Sequence, residues 1–174
     1  MLRGNGIRQA ERFGGALIAL VALSACLSGE REMEARFSAS DHAAWMAKGS
    51  AEIAGEGFIR RPNGWLARCS GGVVQLVPAS PYFREWLAIR RGGASIANAS
   101  ARTEEHRAAL RQTQCDQNGR FRFSDLPAGK WIVITRISYD SPRDAFREDA
   151  FYVTEVETRA GEVAKAVLSN PNRI

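Results

Sequence analysis

The sequence predicts an all-β protein in which about seven antiparallel strands form a two-layer sandwich. From Ala51 onward, short β-rich runs are separated by clusters of Gly, Pro, Asn and Asp. Residues 120–124 alternate strictly, so their two phenylalanines should face one side of a strand and their two arginines the other. Residues 130–139 have apolar side chains at both odd- and even-numbered positions, so we expect a strand that is covered on both faces.

Strand-like segments follow one another from residue 51 almost to residue 169. Gly71 and Gly72 precede a β-branched run that ends at Pro78, which cannot donate a ladder hydrogen bond. Asn118 and Gly119, which tolerate positive φ, are expected in a turn. Two more turns are expected at residues 125–129 and 159–161. Seven strand candidates are residues 51–60, 73–78, 112–115, 120–124, 130–139, 149–158 and 162–169, and residues 65–69 are a further, short candidate.

The first 25 residues have the three parts of a secretory signal: a start with three arginines, an apolar run over residues 13–25, and small residues before Cys26. Thirteen residues are too few for a membrane-spanning helix, which needs roughly 20. The tetrapeptide that ends at Cys26 resembles the lipobox of bacterial lipoproteins. This resemblance implies a lipidated Cys26 and a mature chain that begins there. An ordinary secretory signal or a buried helix is the alternative.

The resemblance also implies a place in the cell. A lipidated Cys26 would anchor the protein to a membrane of the bacterial cell envelope. The residue that follows Cys26 is Leu27 and not an aspartate, and this fits sorting to the outer membrane with the protein facing the periplasm. Export agrees with the cysteine count, because removing Cys26 from the three cysteines leaves Cys69 and Cys115, which we expect to form a disulfide in an oxidising compartment.

The composition is that of a globular protein, with 45% hydrophobic and 25% charged residues. The net charge of +5 falls to +3 when the signal, with three Arg and one Glu, is removed. The basic residues are scattered and form no stripe, so nucleic-acid binding is not expected. The mature chain is long enough for one domain, which we place at residues 51–174.

Two segments do not follow the strand pattern. Residues 26–50 are interpreted as a tether with a short helix that is capped by Asp41 and ends at Gly49. Trp45 and Met46 on this helix are expected to pack on the domain, and a position at the lipid surface is the alternative. Residues 83–111 form a long connection, in which Thr103 could cap a short helix over residues 103–110. A connection of this length in a compact domain is either functional or floppy.

Residues 113–131 resemble the carboxypeptidase regulatory-like domain. The shared features are a polar turn that ends in glycine, an alternating strand with two aromatics, a Leu-Pro-x-Gly turn, and an aromatic residue that opens the next strand. Gly72, Val74, Leu76 and Pro78 resemble an earlier strand of the family, and residues 79–82 extend that likeness. The resemblance covers residues 51–168 and implies an Ig-like, transthyretin-like (prealbumin-like) sandwich with a binding or spacer role. Cys115 departs from the threonine that is usual there, and the family does not explain residues 83–111.

No catalytic constellation can be assembled from the sequence, so we expect a protein that is not an enzyme and needs no cofactor. Metal binding is not expected, because zinc sites need closely spaced Cys and His residues, and neither His42 nor His106 has that spacing to a remaining cysteine. The turn that begins at Asp116 superficially resembles a calcium loop, but Pro127 occupies the position of the required acid.

Two functions remain open at this point. The first is an accessory module that contacts envelope proteins through residues 83–111, with Tyr82 and Trp86 as anchors. The second is a carbohydrate- or peptidoglycan-binding domain, in which exposed aromatic side chains stack on sugar rings. The candidate binding surface comprises Tyr82, Trp86 and Trp65.

Overall fold

A computed structural model describes residues 29–61, 64–97, 104–140 and 147–174. The predicted signal segment and Cys26 lie outside these residues. The described chain forms two four-stranded β-sheets that pack face to face, with a helical layer on the outer face of one of them. The sequence-based prediction of a mostly β, sandwich-like fold is therefore confirmed.

Ten strands and three α-helices are described, together with one 3₁₀ turn at Asn170–Asn172. The strands are β1 (Glu30–Arg31), β2 (Ala51–Arg60), β3 (Leu66–Arg68), β4 (Val73–Pro78), β5 (Ser95–Ile96), β6 (Arg111–Gln114), β7 (Arg120–Leu126), β8 (Gly129–Asp140), β9 (Arg147–Thr158) and β10 (Val163–Leu168). The helices are α1 (Ala39–Met46), α2 (Pro81–Arg91) and α3 (Glu104–Ala108).

The front sheet is built around β2. On one side, β10 runs parallel to β2 from Glu52 to Gly57. On the other side, β7 pairs antiparallel with the first part of β2, and β3 pairs antiparallel with its last three residues. Strands β1 and β5 form a separate two-stranded parallel pair.

The back sheet has the order β6-β4-β8-β9, and all of its pairings are antiparallel. Its longest ladder joins β8 and β9 over twelve residue pairs, from Gly129 opposite Thr158 to Asp140 opposite Arg147. Because side chains alternate along each strand, the back sheet has an inner face toward the front sheet and an outer face toward the helices.

The space between the sheets is filled by large apolar side chains, among which Trp131 and Leu126 are fully buried. The two phenylalanines of β7, Phe121 and Phe123, both face this interior, as their alternation predicted. A disulfide joins Cys69 to Cys115 within the same cluster, with Cα atoms 5.8 Å apart. The predicted disulfide is thus confirmed.

A second apolar cluster covers the outer face of the back sheet. Ile132 and Ile134 of β8 and Val153 of β9 pack there against Phe83 and Leu87 of α2. Strand β8 is therefore buried on both faces, as its run of apolar residues predicted. Helix α2 begins with Ser80 as N-cap and Pro81 in the first turn, a local sequence that favours helix initiation.

The segment between Glu30 and Met46 packs on this helical layer, although it lies within the predicted tether. Met33 is 6% exposed, and the Glu85 carboxylate on α2 accepts hydrogen bonds from the backbone amides of Glu34 and Ala35 at 2.8 and 2.7 Å. Trp45 donates its indole N–H to the Lys130 carbonyl at 3.2 Å and packs against the inter-sheet core. The predicted packing of Trp45 is confirmed, whereas Met46 is 44% exposed.

The structure corrects the limits of the first helix. Its N-cap is Ser38, whose hydroxyl accepts a hydrogen bond from the Asp41 amide, and it ends at Met46 with Ala47 as C-cap. Asp41 was predicted as the cap because it is an acid before an apolar stretch. The helix begins one turn earlier because Ser38 offers the same capping chemistry.

Three further predictions change. The two main sheets contain eight described strands where about seven were expected, and β1 and β5 add two short ones. The pairing is mixed, because β10 joins β2 in parallel, a direction that strand patterning cannot reveal. The connection 83–111 belongs largely to α2, which begins at Pro81; α3 covers Glu104–Ala108, and Thr103 lies outside the described residues.

Candidate functional site

A groove lies between α2 and the part of the back sheet that α2 leaves uncovered. Its volume is about 420 Å³. Trp86 and Phe83 of α2 form one wall, while Gln75 and Val77 of β4 and Ile134 of β8 form the floor. These floor positions point outward because the alternate residues of β4, Val74 and Leu76, belong to the inter-sheet core.

A second hollow of about 470 Å³ continues the groove along the same sheet. The two hollows share Gln75, Ile134 and Phe151 as lining residues, so they adjoin across β4, β8 and β9. We call the combined depression the back groove. From Val77 in the first hollow to Val73 in the second, four residues of β4 span about 13 Å at roughly 3.3 Å per residue.

The walls of the back groove combine apolar surface with hydrogen-bonding groups. Trp86 is half-buried, and Phe151 and Val73 are 41% and 46% exposed, so apolar surface remains accessible beside the helix. Gln75 places an amide, which has both donors and acceptors, on an otherwise apolar strand. A concave, mostly apolar site with a few polar groups is typical of a binding site for a small or extended ligand.

The charge of the back groove is one-sided. Arg90 lines the first hollow, and Arg68 and Arg136 line the second. Among the described residues, no Asp or Glu lines either hollow. The Asp149 carboxylate lies close to one of these arginines, with its Oδ2 3.9 Å from Nη1 of Arg136, and both of these side chains are exposed. The groove therefore has a positive electrostatic character.

A buried polar cluster supports α2 behind the groove. His42 is 2% exposed; one ring nitrogen contacts the Ser38 carbonyl and the other the Ser80 hydroxyl, each at 2.7 Å. Ser80 also caps α2 by accepting the Phe83 amide. The pair of Ser80 and His42 superficially resembles a nucleophile with its base. Both residues are buried and form part of the packing between α1 and α2, so the geometry indicates a structural role.

Tyr82 belongs to the same cluster. Its hydroxyl lies 2.9 Å from Nδ1 of His106, and Phe37 packs edge-on against its ring with centroids 5.3 Å apart. Burial raises the pKa of Tyr82, because the phenolate is poorly solvated there. Both histidines and Tyr82 thus lie inside one aromatic cluster that joins the N-terminal segment, α2 and α3.

The three predicted surface aromatics occupy different environments. Tyr82 is 3% exposed and cannot offer a ring face to a ligand, because its helical position turns it toward Phe37 and His106. Trp86 lines the back groove. Trp65 is 73% exposed next to β3 of the front sheet and lines neither hollow of the groove.

Sequence reasoning did not identify the other groove residues, among them Gln75, Phe151 and the three arginines Arg68, Arg90 and Arg136. Two of them carry a signal in hindsight. Gln75 is the single polar residue in the strand Val73–Pro78, and Phe151 occurs at an outward position of β9. Such residues are exposed where the helical layer leaves part of the sheet face uncovered. The extent of that layer depends on tertiary packing, which the sequence pattern does not show.

No group of three or more His, Cys, Asp or Glu residues suited to a metal ion occurs in the described parts of the chain. At the turn after Cys115, the Asp116 carboxylate accepts the backbone amides of Asn118 and Arg120, both at 2.8 Å. This carboxylate therefore organises the turn. Over residues 29–61, 64–97, 104–140 and 147–174, no helix is both long and apolar enough to cross a membrane.

The fold and groove define a class: a β-sandwich domain with a helical layer and a groove on one sheet face. Comparison with solved structures supports the fold. A crystal structure of a candidate carbohydrate-binding protein from Pseudomonas aeruginosa is similar over 77% of this chain and 97% of its own chain, with a TM-score of 0.63 and 20% identity.

A second structure, the minor pilin GBS52 of Streptococcus agalactiae, matches 71% of this chain and 45% of its own, with a TM-score of 0.37 and 13% identity. This likeness is too low to carry an argument. No family model matches the chain, and no curated protein matches it. Of the resemblance to the carboxypeptidase regulatory-like domain, these comparisons support the β-sandwich fold.

Proposed function

We propose that this protein is an exported, lipid-anchored and non-catalytic binding module whose back groove binds carbohydrate. The observation that carries the proposal is the groove itself, which places the Trp86 side chain beside an amide on a concave sheet face. Sugar rings have apolar faces and a rim of hydroxyl groups. Such ligands are held by aromatic side chains that contact the faces and by polar side chains that bond the hydroxyls.

The packing favours carbohydrate over protein contact through residues 83–111. Protein interfaces depend on a few large anchors that are free to enter the partner. Tyr82 and Phe83, the large residues at the start of α2, are 3% and 1% exposed and hold the helix on the sheet. Among the large apolar side chains of α2, Trp86 is the one that stays partly exposed, and it lines the groove. A protein-interaction role would therefore have fewer anchors than the sequence suggested.

The fold neighbour from Pseudomonas aeruginosa agrees with this ligand class, since that protein is itself a candidate for carbohydrate binding. At 20% identity, the likeness supports a common fold, and the ligand assignment depends on the groove. Peptidoglycan and other envelope polysaccharides are the carbohydrates that an anchored envelope protein would meet.

Export and anchoring are part of the proposal. The signal-like first 25 residues and the lipobox-like residues before Cys26 support it, and a disulfide fits an oxidising compartment such as the periplasm. We place the protein in the outer membrane, facing the periplasm. The mass of the purified N-terminal peptide tests this: a diacylglyceryl group on Cys26 is expected, and an unmodified or uncleaved N-terminus would refute the anchor.

The binding role is tested with two matched tryptophan variants of the full protein in detergent. Trp86→Ala removes a groove wall, whereas Trp65→Ala removes a more exposed tryptophan outside the groove. We expect the wild type and Trp65→Ala to be retained by immobilised envelope polysaccharides or to sediment with peptidoglycan. Trp86→Ala should bind at least tenfold more weakly, as for an interface anchor.

Two controls make the result decisive. Circular dichroism and a cooperative urea transition must show that Trp86→Ala is folded, because this residue also packs against the outer cluster. Equal binding by both variants would place the site elsewhere. No retention of the wild type on any polysaccharide would refute carbohydrate binding.

A further inference from the structure

The back groove carries a charge pattern that narrows its ligand class. This inference rests on the proposed carbohydrate-binding function and adds the charge and the minimum length of the ligand. Three arginines line the groove, and the described lining contains no carboxylate. A neutral polysaccharide could accept hydrogen bonds from these arginines, but only an anionic one would also gain charge pairing.

The arginines stand in a setting that strengthens their field. They surround a depression floored by Val77, Ile134 and Phe151, and apolar walls focus the field of nearby charges toward a bound ligand. Arg68 and Arg90 have no carboxylate partner within 4 Å among the described residues. Their guanidinium groups can therefore form bidentate pairs with an incoming carboxylate.

Arg136 differs because Asp149 lies close to it. The separation of 3.9 Å is long for an ion pair, and the side chains are 59% and 45% exposed. Exposed pairs of this kind contribute little. A ligand carboxylate can replace the Asp149 contact, so Arg136 also remains available for binding.

The positions of the charges set a minimum length for the ligand. Arg90 lines the hollow beside Trp86, whereas Arg68 and Arg136 line the adjoining hollow. Val77 lines the first hollow and Val73 the second, and by strand geometry these residues of β4 are about 13 Å apart. A single sugar ring is too short to extend along this whole stretch, but a chain of several rings can do so.

From these observations, we propose that the back groove binds an extended acidic polysaccharide, a chain of sugar residues that bear carboxylate groups. Trp86 contacts a ring face in the first hollow, and Gln75 bonds hydroxyl groups where the hollows meet. The arginines pair with carboxylates on successive rings. Both the negative charge and the chain length are therefore required for full affinity.

The probes are three polymers and their fragments: polygalacturonate, its methyl-esterified form, and neutral dextran. Methyl esterification removes the charge but keeps the ring and the linkage. Calorimetric titration of the full protein should show binding of polygalacturonate and its hexamer, with at least tenfold weaker binding of the esterified polymer, dextran and the monomer. Affinity for polygalacturonate should also fall as salt is raised.

Arginine variants test the residue assignment. Arg90→Gln and Arg136→Gln should each weaken hexamer binding by about tenfold, the effect of losing a charged hydrogen bond. Arg159→Gln, at the exposed turn before β10, is the matched control and should bind like the wild type. Equal losses in all three variants would indicate a general charge effect and overturn the proposal.

The outcomes separate this inference from the proposed function. Binding of dextran or esterified polymer as tightly as polygalacturonate, with the Trp86 dependence intact, would overturn the acidic ligand and leave carbohydrate binding standing. Binding of the monomer as tightly as the hexamer would overturn the length requirement. A failure of every polymer to bind would refute the proposed function as well.

Discussion

Removal of the Cys69–Cys115 bridge is expected to lower the free energy of unfolding by about 4 kcal/mol. The bridge closes a loop with a sequence separation of 46 residues. In the chain-entropy model, a crosslink of this span removes roughly 13 cal/mol/K from the unfolded ensemble, and this corresponds to about 4 kcal/mol at 25 °C. For a domain of this size, the melting temperature should fall by about 8–16 °C.

The measurement is urea unfolding of the double variant Cys69→Ala, Cys115→Ala, followed by circular dichroism. The transition midpoint should fall, and the slope should rise, because the uncrosslinked unfolded chain exposes more surface. Wild-type protein reduced with dithiothreitol is the control, and it should unfold near the same midpoint as the double variant. A loss below about 1 kcal/mol would refute the chain-entropy argument for this loop.

Three smaller perturbations test the packing around the helices. Arg111→Met should cost about 2 kcal/mol, since the Arg111 guanidinium donates to the carbonyls of Trp45, Ala47 and Asp125 at 3.1–3.2 Å. Ser80→Ala should also cost about 2 kcal/mol, because it removes the cap of α2 and the hydroxyl partner of His42. Tyr82→Phe should reduce the loss of folding stability at alkaline pH. Burial raises the pKa of Tyr82, so the folded state holds the phenol proton more tightly than the unfolded state does. The resulting stabilisation is present below about pH 10 and is lost as pH rises through the pKa of Tyr82 in the folded state.

Each of these predictions has a matched control and a contrary outcome. Arg159→Met and Ser124→Ala alter exposed side chains and should leave the urea midpoint unchanged. A midpoint shift for Arg111→Met no larger than that for Arg159→Met would show that the carbonyl contacts contribute nothing. For Tyr82, a difference between the urea midpoints of wild type and Tyr82→Phe that stays constant from pH 8 to pH 11 would contradict the reasoning, whereas Tyr139→Phe should show the same pH dependence as the wild type.

Local patterns in the sequence predicted most of the sandwich. Strict alternation placed Phe121 and Phe123 in the interior, and the two-sided apolar run placed β8 between two layers. Cysteine parity predicted the disulfide correctly. These features succeed because they depend on side-chain alternation and on pairing chemistry, which local sequence encodes.

Helix α2 was missed although its signals were present. Ser80 and Pro81 form a helix start, and Gly92 follows the helix end, but residues 79–82 were interpreted as part of the family resemblance. The identity of the layer that covers β8 depends on contacts between distant segments, which a local pattern does not contain. For the same reason, the sequence could not show that α2 leaves Gln75 and Phe151 accessible and thereby forms a groove.

The parallel ladder between β2 and β10 has a consequence for the order of events during folding. The first long strand of the sandwich lies beside its last one, with Glu52 opposite Val163. The front sheet is complete only when β10 has paired with β2, and more than a hundred residues lie between Glu52 and Val163. Pairings between residues this far apart in the sequence are slow to form. For a chain that crosses a membrane unfolded, as we propose here, this arrangement delays completion of the domain until almost all of it has been translocated.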